Sequence, residues 1–422
     1  MTRFELDRTG WAPEAGGVGD PRRCRTRLVY SNALQAYDLG PEHPLRPERA
    51  QVALELLHGL HIAPLPDEWL APRAATDAEL MLVHAPAYID AIKRFSLWAP
   101  DVPRGEASRY GVGPGDTPAF PGMHEAAALV AGAAVVGVRE IMEGRCDHVF
   151  HPTGGLHHAH RSYASGFCIY NDAAIAIAVA VREYGARVLY LDFDAHHGDG
   201  VETAFTADPR VLTVSFHETG RCLFPGTGDV SDLGAGAGHD WAVNVPMEPF
   251  TRDDSWLEAV EGLVPMLAER FRPDLIVSQH GCDTHEWDPL THLSLTTRSL
   301  ARQAALVHHL AHTYSGGRWL ALGGGGYAVY RVVPRSWALL WAEMSGRRPP
   351  ARLPDEWLAR YRVHDTHPLP ELLYDPPEMS ERPTSPEIAA VNRHTVARAR
   401  QRALAMLPVP SRPGGQRNPE KA

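Results

Sequence analysis

The sequence predicts an α/β protein in which helices cover both faces of a mostly parallel sheet. Three observations predict this class: short runs of β-branched and aromatic residues, longer helix-like segments between them, and polar or glycine-rich residues directly after each run. In sheets of this kind, ligands bind beyond the carboxyl ends of the strands. The residues that follow each predicted strand are therefore the first place to search for chemistry.

The predicted helices and strands alternate along the chain, which favours parallel strands joined by crossover helices. Residues 171–184 begin with Asn171 and Asp172, either of which suits a helix N-cap. Residues 187–193 (RVLYLDF) are a short β-branched and aromatic run that is typical of a buried strand. In chain order we expect helices at 123–145 and 171–184, strands at 187–193 and 210–216, a helix at 253–270, a strand at 274–278, a helix at 297–314 and a strand at 318–322.

One folded domain is expected over residues 27–407. Residues 1–26 are rich in Gly, Pro and Arg without any period, which predicts a flexible N-terminal extension. Residues 408–422 are rich in Pro and Gly and predict a flexible C-terminal tail. Because no linker or internal repeat interrupts the interval between them, we expect a single domain there.

Composition and charge exclude several classes of protein. The 422 residues are 44% hydrophobic and 22% charged, as in ordinary globular proteins, and the net charge of −10 is unsuited to a basic nucleic-acid-binding surface. The longest nearly apolar stretch, residues 125–138, falls short of the ~20 residues of a membrane-spanning helix, and residues 1–13 lack the apolar core of a secretory signal. Five scattered cysteines without a CxxC pair argue against a disulfide framework or a cysteine-based zinc site. We therefore expect a cytoplasmic protein with neither a membrane nor a nucleic-acid partner, and the sequence leaves its oligomeric state open.

Carboxylates and imidazoles are concentrated at the end of the predicted strand 187–193, where residues 192–200 read DFDAHHGDG. Alternate residues of an extended segment face the same side, so Asp192, Asp194 and His196 are able to converge. Such a group is costly unless a cation or hydrogen bonds compensate it. A metal site is the functional interpretation, and a surface loop of caps and turns is the alternative.

Asp283 follows another predicted strand, in the segment QHGCD. On its own it suits an N-cap or a turn. Beside the first cluster it is a candidate third ligand, and Asp194, His196 and Asp283 then form a zinc site with the open fourth position that catalysis requires. Because all three ligand groups offer nitrogen or oxygen, Fe(II) and Co(II) also suit the site.

Two further segments contain candidate catalytic groups. His157 and His158 follow a glycine pair, and Asp192 and Asp199 are available to fix their tautomers, although paired histidines are often incidental. A glycine run, GGGGY, ends at Tyr327 and lacks the pattern of a phosphate or dinucleotide loop. Its backbone is expected to approach a ligand closely and bring the Tyr327 hydroxyl to it, and a flexible turn is the alternative.

Five motifs, in this order, resemble those of the zinc-dependent histone deacetylase superfamily: His157-His158, Gly166-Phe167-Cys168, Asp192 to Gly200, Gly281 to Leu290, and Gly323 to Tyr327. The resemblance extends over about residues 28–407. Segments at 120–123, 288–294 and 330–335 look like the bacterial acetoin-utilisation branch of that superfamily. The resemblance implies an open arginase/deacetylase-like α/β fold with the active site at the carboxyl ends of the strands.

The same resemblance implies a catalytic zinc, a structural potassium ion and a role for each site residue. The implied catalytic residues are His157, His158, Tyr327, Asp192 and Asp199, with His157 paired to Asp192 and His158 to Asp199. The implied ligands are Asp194, His196 and Asp283 for zinc, Asp192, Asp194, His196, Ser215 and Phe216 for potassium, and Phe205, Asp208 and Val211 for a second, weaker monovalent site. The implied substrate-binding residues are Asp116, Gly166, Phe167, Phe224 and Leu290.

The activity that the resemblance implies is zinc-dependent hydrolysis of the acetamide of N-acetyl-lysine in proteins, which releases acetate and lysine. The expected substrate is a metabolic protein such as acetyl-CoA synthetase. Small acetylated amines such as acetylpolyamines are the alternative substrate, because the same catalytic set serves them. An inactive acetyl-lysine reader is disfavoured because every catalytic group is present. A binuclear manganese ureohydrolase is disfavoured because Gly198 and His285 stand where its extra carboxylates would be.

Overall fold

A parallel sheet forms the centre of the computed structural model, which describes residues 24–234 and 241–406. Its strands are β1 (Thr26–Val29), β2 (Trp69–Leu70), β3 (His148–His151), β4 (Val188–Asp192), β5 (Val211–Glu218), β6 (Ala242–Met247), β7 (Leu275–Gln279) and β8 (Trp319–Leu322). These strands pair in parallel in the order β2-β1-β3-β8-β7-β4-β5-β6. This topology confirms the predicted α/β class.

Helices connect the strands and cover the sheet. They are α1 (Arg49–Gly59), α2 (Asp77–Leu80), α3 (Pro86–Trp98), α4 (Arg104–Ala107), α5 (Met123–Met142), α6 (Asp172–Tyr184), α7 (Asp199–Phe205), α8 (Asp253–Phe271), α9 (Thr297–Tyr314), α10 (Val333–Ser345), α11 (Asp355–Tyr361), α12 (Pro377–Ser380) and α13 (Pro386–Met406). Short 3₁₀ turns lie at Asn32–Ala36, Pro66–Glu68 and Ser108–Tyr110. Within the described ranges, no helix is long and apolar enough to cross a membrane.

Alternate side chains of β4 enter two different hydrophobic cores. Leu189 and Leu191 pack in a core that also contains Trp256 of α8 and Val307 of α9. Tyr190 packs in a second core, to which α5 and α6 contribute most of their buried residues. Because successive strand side chains point to opposite faces, the sheet is the middle layer of three.

The predicted helices and strands are all present, with shifts of a few residues at their ends. Helix α5 ends at Met142 rather than 145 because Gly144 adopts a φ of 72°, which a right-handed helix does not accommodate. The side chain of Asn171 accepts a hydrogen bond from the Ala174 amide at 2.9 Å, so Asn171 is the N-cap of α6. Strands β1, β2, β3 and β6 are additional to the prediction. Of the predicted flexible ends, residues 1–23 and 408–422 lie outside the described residues.

Five neighbouring strands (β3, β8, β7, β4 and β5) end at one edge of the sheet. Asp192, the last residue of β4, is in register with Ser215 of β5 and with Gln279 at the end of β7. The segments that leave these strands therefore emerge side by side. This is the edge at which parallel α/β sheets build their binding sites.

Candidate active site

Three buried metal-ligating side chains meet just beyond the ends of β4 and β7. His196 Nδ1 lies 3.1 Å from Asp194 Oδ1 and 3.1 Å from Asp283 Oδ2. One donor atom from each residue lies within 4.8 Å of the other two. Burial and the negative charge of Asp194 raise the pKa of Asp283 to about 6. Two buried carboxylates and an imidazole in such contact form a donor set that suits a divalent cation with nitrogen and oxygen ligands.

Backbone and side-chain donors hold the two carboxylates in place. Asp194 Oδ2 accepts hydrogen bonds from Gln279 Nε2 at 2.6 Å and from the Gly325 amide at 2.8 Å. Asp283 Oδ1 accepts one from the Ala195 amide at 2.9 Å. A Cβ atom at Gly325 would lie 2.8 Å from Asp194 Oδ2 and overlap the Asp283 carboxylate. The glycine run is therefore a close approach of backbone to the ligand residues, as the sequence predicts.

His157 and His158 lie beside this cluster, and each contacts the carboxylate that the resemblance assigns to it. His157 Nδ1 is 2.8 Å from Asp192 Oδ2, and His158 Nδ1 is 2.7 Å from Asp199 Oδ1. The centroids of the two imidazole rings are 4.0 Å apart. A carboxylate at Nδ1 fixes the tautomer and orientation of a histidine and leaves Nε2 for proton transfer.

The surroundings of the two imidazoles make them electrostatically different. Burial lowers the pKa of His157, but the charges of Asp192 and Asp194 outweigh burial and raise it to about 9. Burial and the neighbouring positive charge of His157 lower the pKa of His158 to about 4, against the opposing effect of Asp199. The pair therefore holds one proton more readily than two, as coupled histidines do.

Tyr327 follows β8 and the glycine run, and two contacts hold its backbone. Its amide donates to Asp288 Oδ2 at 2.8 Å, and the buried Arg49 donates from Nη1 to the Gly326 carbonyl at 3.1 Å. Burial and the charges of Asp283 and Asp194 raise the pKa of the Tyr327 phenol well above its usual value. The phenol therefore remains a hydrogen-bond donor at neutral pH.

Two aromatic side chains adjoin the catalytic groups. The Phe224 ring is 5.0 Å from the His158 ring, and the Phe167 ring is 5.9 Å from the Tyr327 ring. Phe224 is 44% exposed, so it reaches the surface of the site. A Cβ atom at Gly166 would overlap His158 and lie 2.9 Å from Phe224, which explains the glycine there.

The other two residues assigned to substrate binding, Asp116 and Leu290, are connected to the catalytic and aromatic groups by hydrogen bonds. Asp116 Oδ2 accepts a hydrogen bond from the Gly166 amide at 3.0 Å, so this carboxylate holds the segment that carries Phe167. Leu290 is 36% exposed, and its amide donates to Asp288 Oδ1 at 3.0 Å. Asp288 therefore links the Leu290 segment to Tyr327.

The residues assigned to potassium lie on β4 and β5 and in the segment after β4. Ser215 is opposite Asp192, and its hydroxyl is 2.8 Å from His217 Nδ1. Phe216 is buried, with its ring 6.0 Å from that of Phe193. At the second assigned site, the Asp208 amide donates to the Phe205 carbonyl at 3.0 Å and the Val211 amide to the Asp208 carbonyl at 3.1 Å. These three residues span the connection from the end of α7 to the first residue of β5.

Several supporting residues are not predicted by the sequence patterns. Tyr190 donates its hydroxyl to Asp192 Oδ2 at 2.7 Å, and His160 Nε2 lies 3.1 Å from Asp199 Oδ2. Asp172 Oδ1 accepts from the Leu156 amide at 2.7 Å and so fixes the turn before the histidine pair. Tyr190 was detectable, because it lies two residues before Asp192 on the same strand and hence on the same face. Nothing in the local sequence around Asp172 distinguishes it from an ordinary first-turn acid.

The extra ligands of a binuclear site are missing from the described residues. Gly198 has no side chain to contribute, and His285 Nε2 lies 2.8 Å from Asp375 Oδ2. Asp375 also accepts a hydrogen bond from Arg335 Nη1 at 2.8 Å, so His285 belongs to a separate buried ion network. This arrangement, like the sequence, disfavours a binuclear ureohydrolase.

Comparisons with known proteins identify the family. The sequence-family model of the histone deacetylase domain matches residues 43–344 of this chain. The acetoin utilization protein AcuC of Bacillus subtilis (strain 168) is 45% identical over 373 residues, which cover 88% of this chain and 96% of that protein. AcuC of Staphylococcus xylosus is 40% identical over 370 residues, which cover 87% of this chain and 95% of that protein.

Solved structures show the same similarity. A crystal structure of an HDAC homolog complexed with SAHA has a TM-score of 0.80 and 28% identity, over 89% of this chain and 99% of that chain. The crystal structure of an HDAC homolog from Aquifex aeolicus has a TM-score of 0.79 and 27% identity over the same shares, 89% and 99%. The predicted arginase/deacetylase-like fold and the likeness to acetoin-utilisation proteins are thus confirmed. The chain belongs to the histone deacetylase family and is a deacetylase.

Proposed function

We propose that this deacetylase hydrolyses the acetamide of N-acetyl-lysine side chains in proteins and releases acetate and free lysine. The observation that carries the proposal is the meeting of the Asp194, His196 and Asp283 cluster with two carboxylate-paired histidines and the Tyr327 turn. An acetylated metabolic protein, such as an acetyl-CoA synthetase, is the proposed partner.

Zinc is the proposed ion, held by Asp194, His196 and Asp283, whose donor set also suits Fe(II) or Co(II). A divalent ion bound there supplies Lewis acidity, which polarises a carbonyl and lowers the pKa of water towards ~7. The protein's own side chains then transfer the protons and orient the substrate.

The histidine pair moves the protons. His157 Nε2 lies 3.9 Å from Asp194 Oδ1, so the imidazole nitrogen that does not contact Asp192 is turned towards the ligand cluster. His158, or the two histidines acting together, takes a proton from the attacking water and passes it to the departing lysine amine. Asp192 and Asp199 keep both rings in the required orientation. The Tyr327 hydroxyl donates to the oxyanion that develops on the acetyl oxygen.

The rings of Phe167 and Phe224 suit contact with the aliphatic part of a lysine side chain. We propose that Phe167 and Phe224 flank the lysine methylenes, that Leu290 contacts the substrate nearby, and that Asp116 accepts a hydrogen bond from the substrate backbone. Asp116 already organises the Gly166 segment, so these two tasks fall on the same carboxylate. We also propose that a potassium ion bound at Asp192, Asp194, His196, Ser215 and Phe216 supports the ends of β4 and β5.

The test is acetate release by chelator-treated protein, with and without added zinc, from an acetyl-lysine peptide and from N-acetylspermidine. We expect turnover of the peptide only after zinc is restored. Turnover of the polyamine alone would replace the proposal by the small-amine alternative. Turnover of neither substrate by the metal-loaded protein would contradict catalysis and favour an acetyl-lysine reader.

Tyr327→Phe is expected to lower kcat by about 10²–10³-fold, the usual cost of one oxyanion donor. The phenylalanine ring keeps its packing against Phe167, so metal content and peptide affinity should change little. Steady-state kinetics and peptide binding measure the two effects separately. Tyr330→Phe is the matched control, since among the described residues the Tyr330 hydroxyl donates to Glu48 Oε1, at 3.5 Å. Unchanged turnover in Tyr327→Phe would refute the donor role.

A further inference from the structure

A second group of metal-ligating side chains lies at the opposite edge of the sheet from the active site. Its members are Cys24, His148, His308 and His312, and one donor atom from each lies within 4.8 Å of the others. His148 is the first residue of β3, and Cys24 lies two residues before β1. His308 and His312 are one turn apart on α9, so they face the same side of that helix.

Four of the six separations between donor atoms are close to those of a tetrahedral site. His312 Nε2 is 3.2 Å from His148 Nε2 and 3.2 Å from His308 Nε2. Cys24 Sγ is 3.3 Å from His312 Nε2 and 3.8 Å from His308 Nε2. Tetrahedral zinc would separate nitrogen from nitrogen by about 3.3–3.4 Å and sulfur from nitrogen by about 3.5–3.6 Å.

We propose that Cys24, His148, His308 and His312 bind a second divalent ion of the zinc class. Four protein ligands fill a tetrahedral shell, so this ion has a structural role and no position for a substrate. It would join the segment before β1, the start of β3 and helix α9, which are distant in the sequence.

The surroundings support metal ligation. His308 Nδ1 is 2.7 Å from Glu343 Oε1, the carboxylate–histidine arrangement that orients a ligand whose Nε2 faces the ion. The His308 ring also stacks on Trp319, with centroids 5.8 Å apart and planes at 27°. Cys24 adds a sulfur donor, and a cysteine binds metals as the thiolate.

Cobalt spectroscopy distinguishes this site from the active site. The active-site ligands include no sulfur, whereas Cys24 would give a thiolate-to-cobalt charge-transfer band in the near ultraviolet. The full chain with Asp283→Ala, which disables the active-site cluster, should bind one Co²⁺ and show the band. Adding Cys24→Ser should abolish the band, whereas adding Cys222→Ser, at an exposed cysteine outside the cluster, should leave it intact.

Zinc content and a second variant complete the test. We expect two zinc ions per chain in the unmodified protein, one in Cys24→Ser, one in Asp283→Ala and none in the double variant. His312→Gln replaces an exposed helix residue and should weaken cobalt binding by at least about tenfold even if Cys24→Ser does not fold. Absence of the band from Asp283→Ala, or its persistence in Cys24→Ser, would overturn the proposal. If the unmodified protein lacked the active-site ion but showed the thiolate–cobalt band, the result would contradict the proposed function and support the second site.

Discussion

Asp283→Ala is expected to remove the active-site ion and to lower kcat by about 10⁴-fold, the equivalent of about 5–6 kcal/mol of lost charge stabilisation. Asp283 is fully buried and contributes one of the two carboxylates of the ligand cluster. Without it, Asp194 and His196 alone would have to hold the ion. Zinc content by elemental analysis and acetate release from an acetyl-lysine peptide measure the two effects.

Two further variants separate the charge of Asp283 from its structural contact. Asp283→Asn keeps an oxygen that accepts from the Ala195 amide, so it should fold normally while binding the ion weakly. Asp67→Ala removes an exposed carboxylate from a 3₁₀ turn and should change neither zinc content nor activity. Retention of both the ion and turnover in Asp283→Ala would contradict the assignment of Asp283 as a ligand.

His158→Ala and His157→Ala are each expected to lower kcat by about 10²–10⁴-fold, the range of a general acid–base group. Zinc content should be unchanged, because neither histidine belongs to the ligand cluster. Since the rings are only 4.0 Å apart and are proposed to share one proton-transfer task, the double variant should lose much less than the product of the two single effects. Single-turnover acetate release measures all three variants.

His367→Ala is the control for the loss of an imidazole, because the His367 side chain is 67% exposed. Its kcat should equal that of the unmodified protein. Full additivity of His157→Ala and His158→Ala would show two independent functions instead of one coupled pair. A loss below tenfold in both single variants would remove the pair from the mechanism.

Sequence patterns predict the fold and the Asp194 and His196 part of the ligand cluster because these residues are local in the chain, and Asp283 is predicted from its place after another strand. Strand β4 is a continuous apolar run, and Asp194 and His196 follow it at alternate positions. By contrast, β2 spans only Trp69–Leu70, which is too short to show any period. Supporting contacts such as Arg49 to Gly326 join residues 277 apart, and no spacing rule connects them.

The cluster of Cys24, His148, His308 and His312 is a second case in which no spacing rule connects the residues. The absence of a CxxC pair argues against a cysteine-based zinc site, because such sites usually bring their ligands from short local motifs. Here Cys24 and His312 are 288 residues apart in the chain. The one local signal is the spacing of His308 and His312 on a predicted helix. Only the pairing of β1 with β3 and the packing of α9 bring the four side chains together.

The position of β8 in the sheet has a consequence for the order in which the chain folds. β8 is the last strand of the described chain, yet it lies between β3 and β7 and joins β2-β1-β3 to β7-β4-β5-β6. During synthesis the two halves therefore cannot join until residues 319–322 have left the ribosome. Pairing of strands that are far apart in the sequence, such as β3 and β8, is slow. The histidine pair follows β3, the ligands follow β4 and β7, and Tyr327 follows β8. A nascent chain that ends before β8 therefore lacks Tyr327 and the strand that joins the half carrying the histidine pair to the half carrying the ligand cluster.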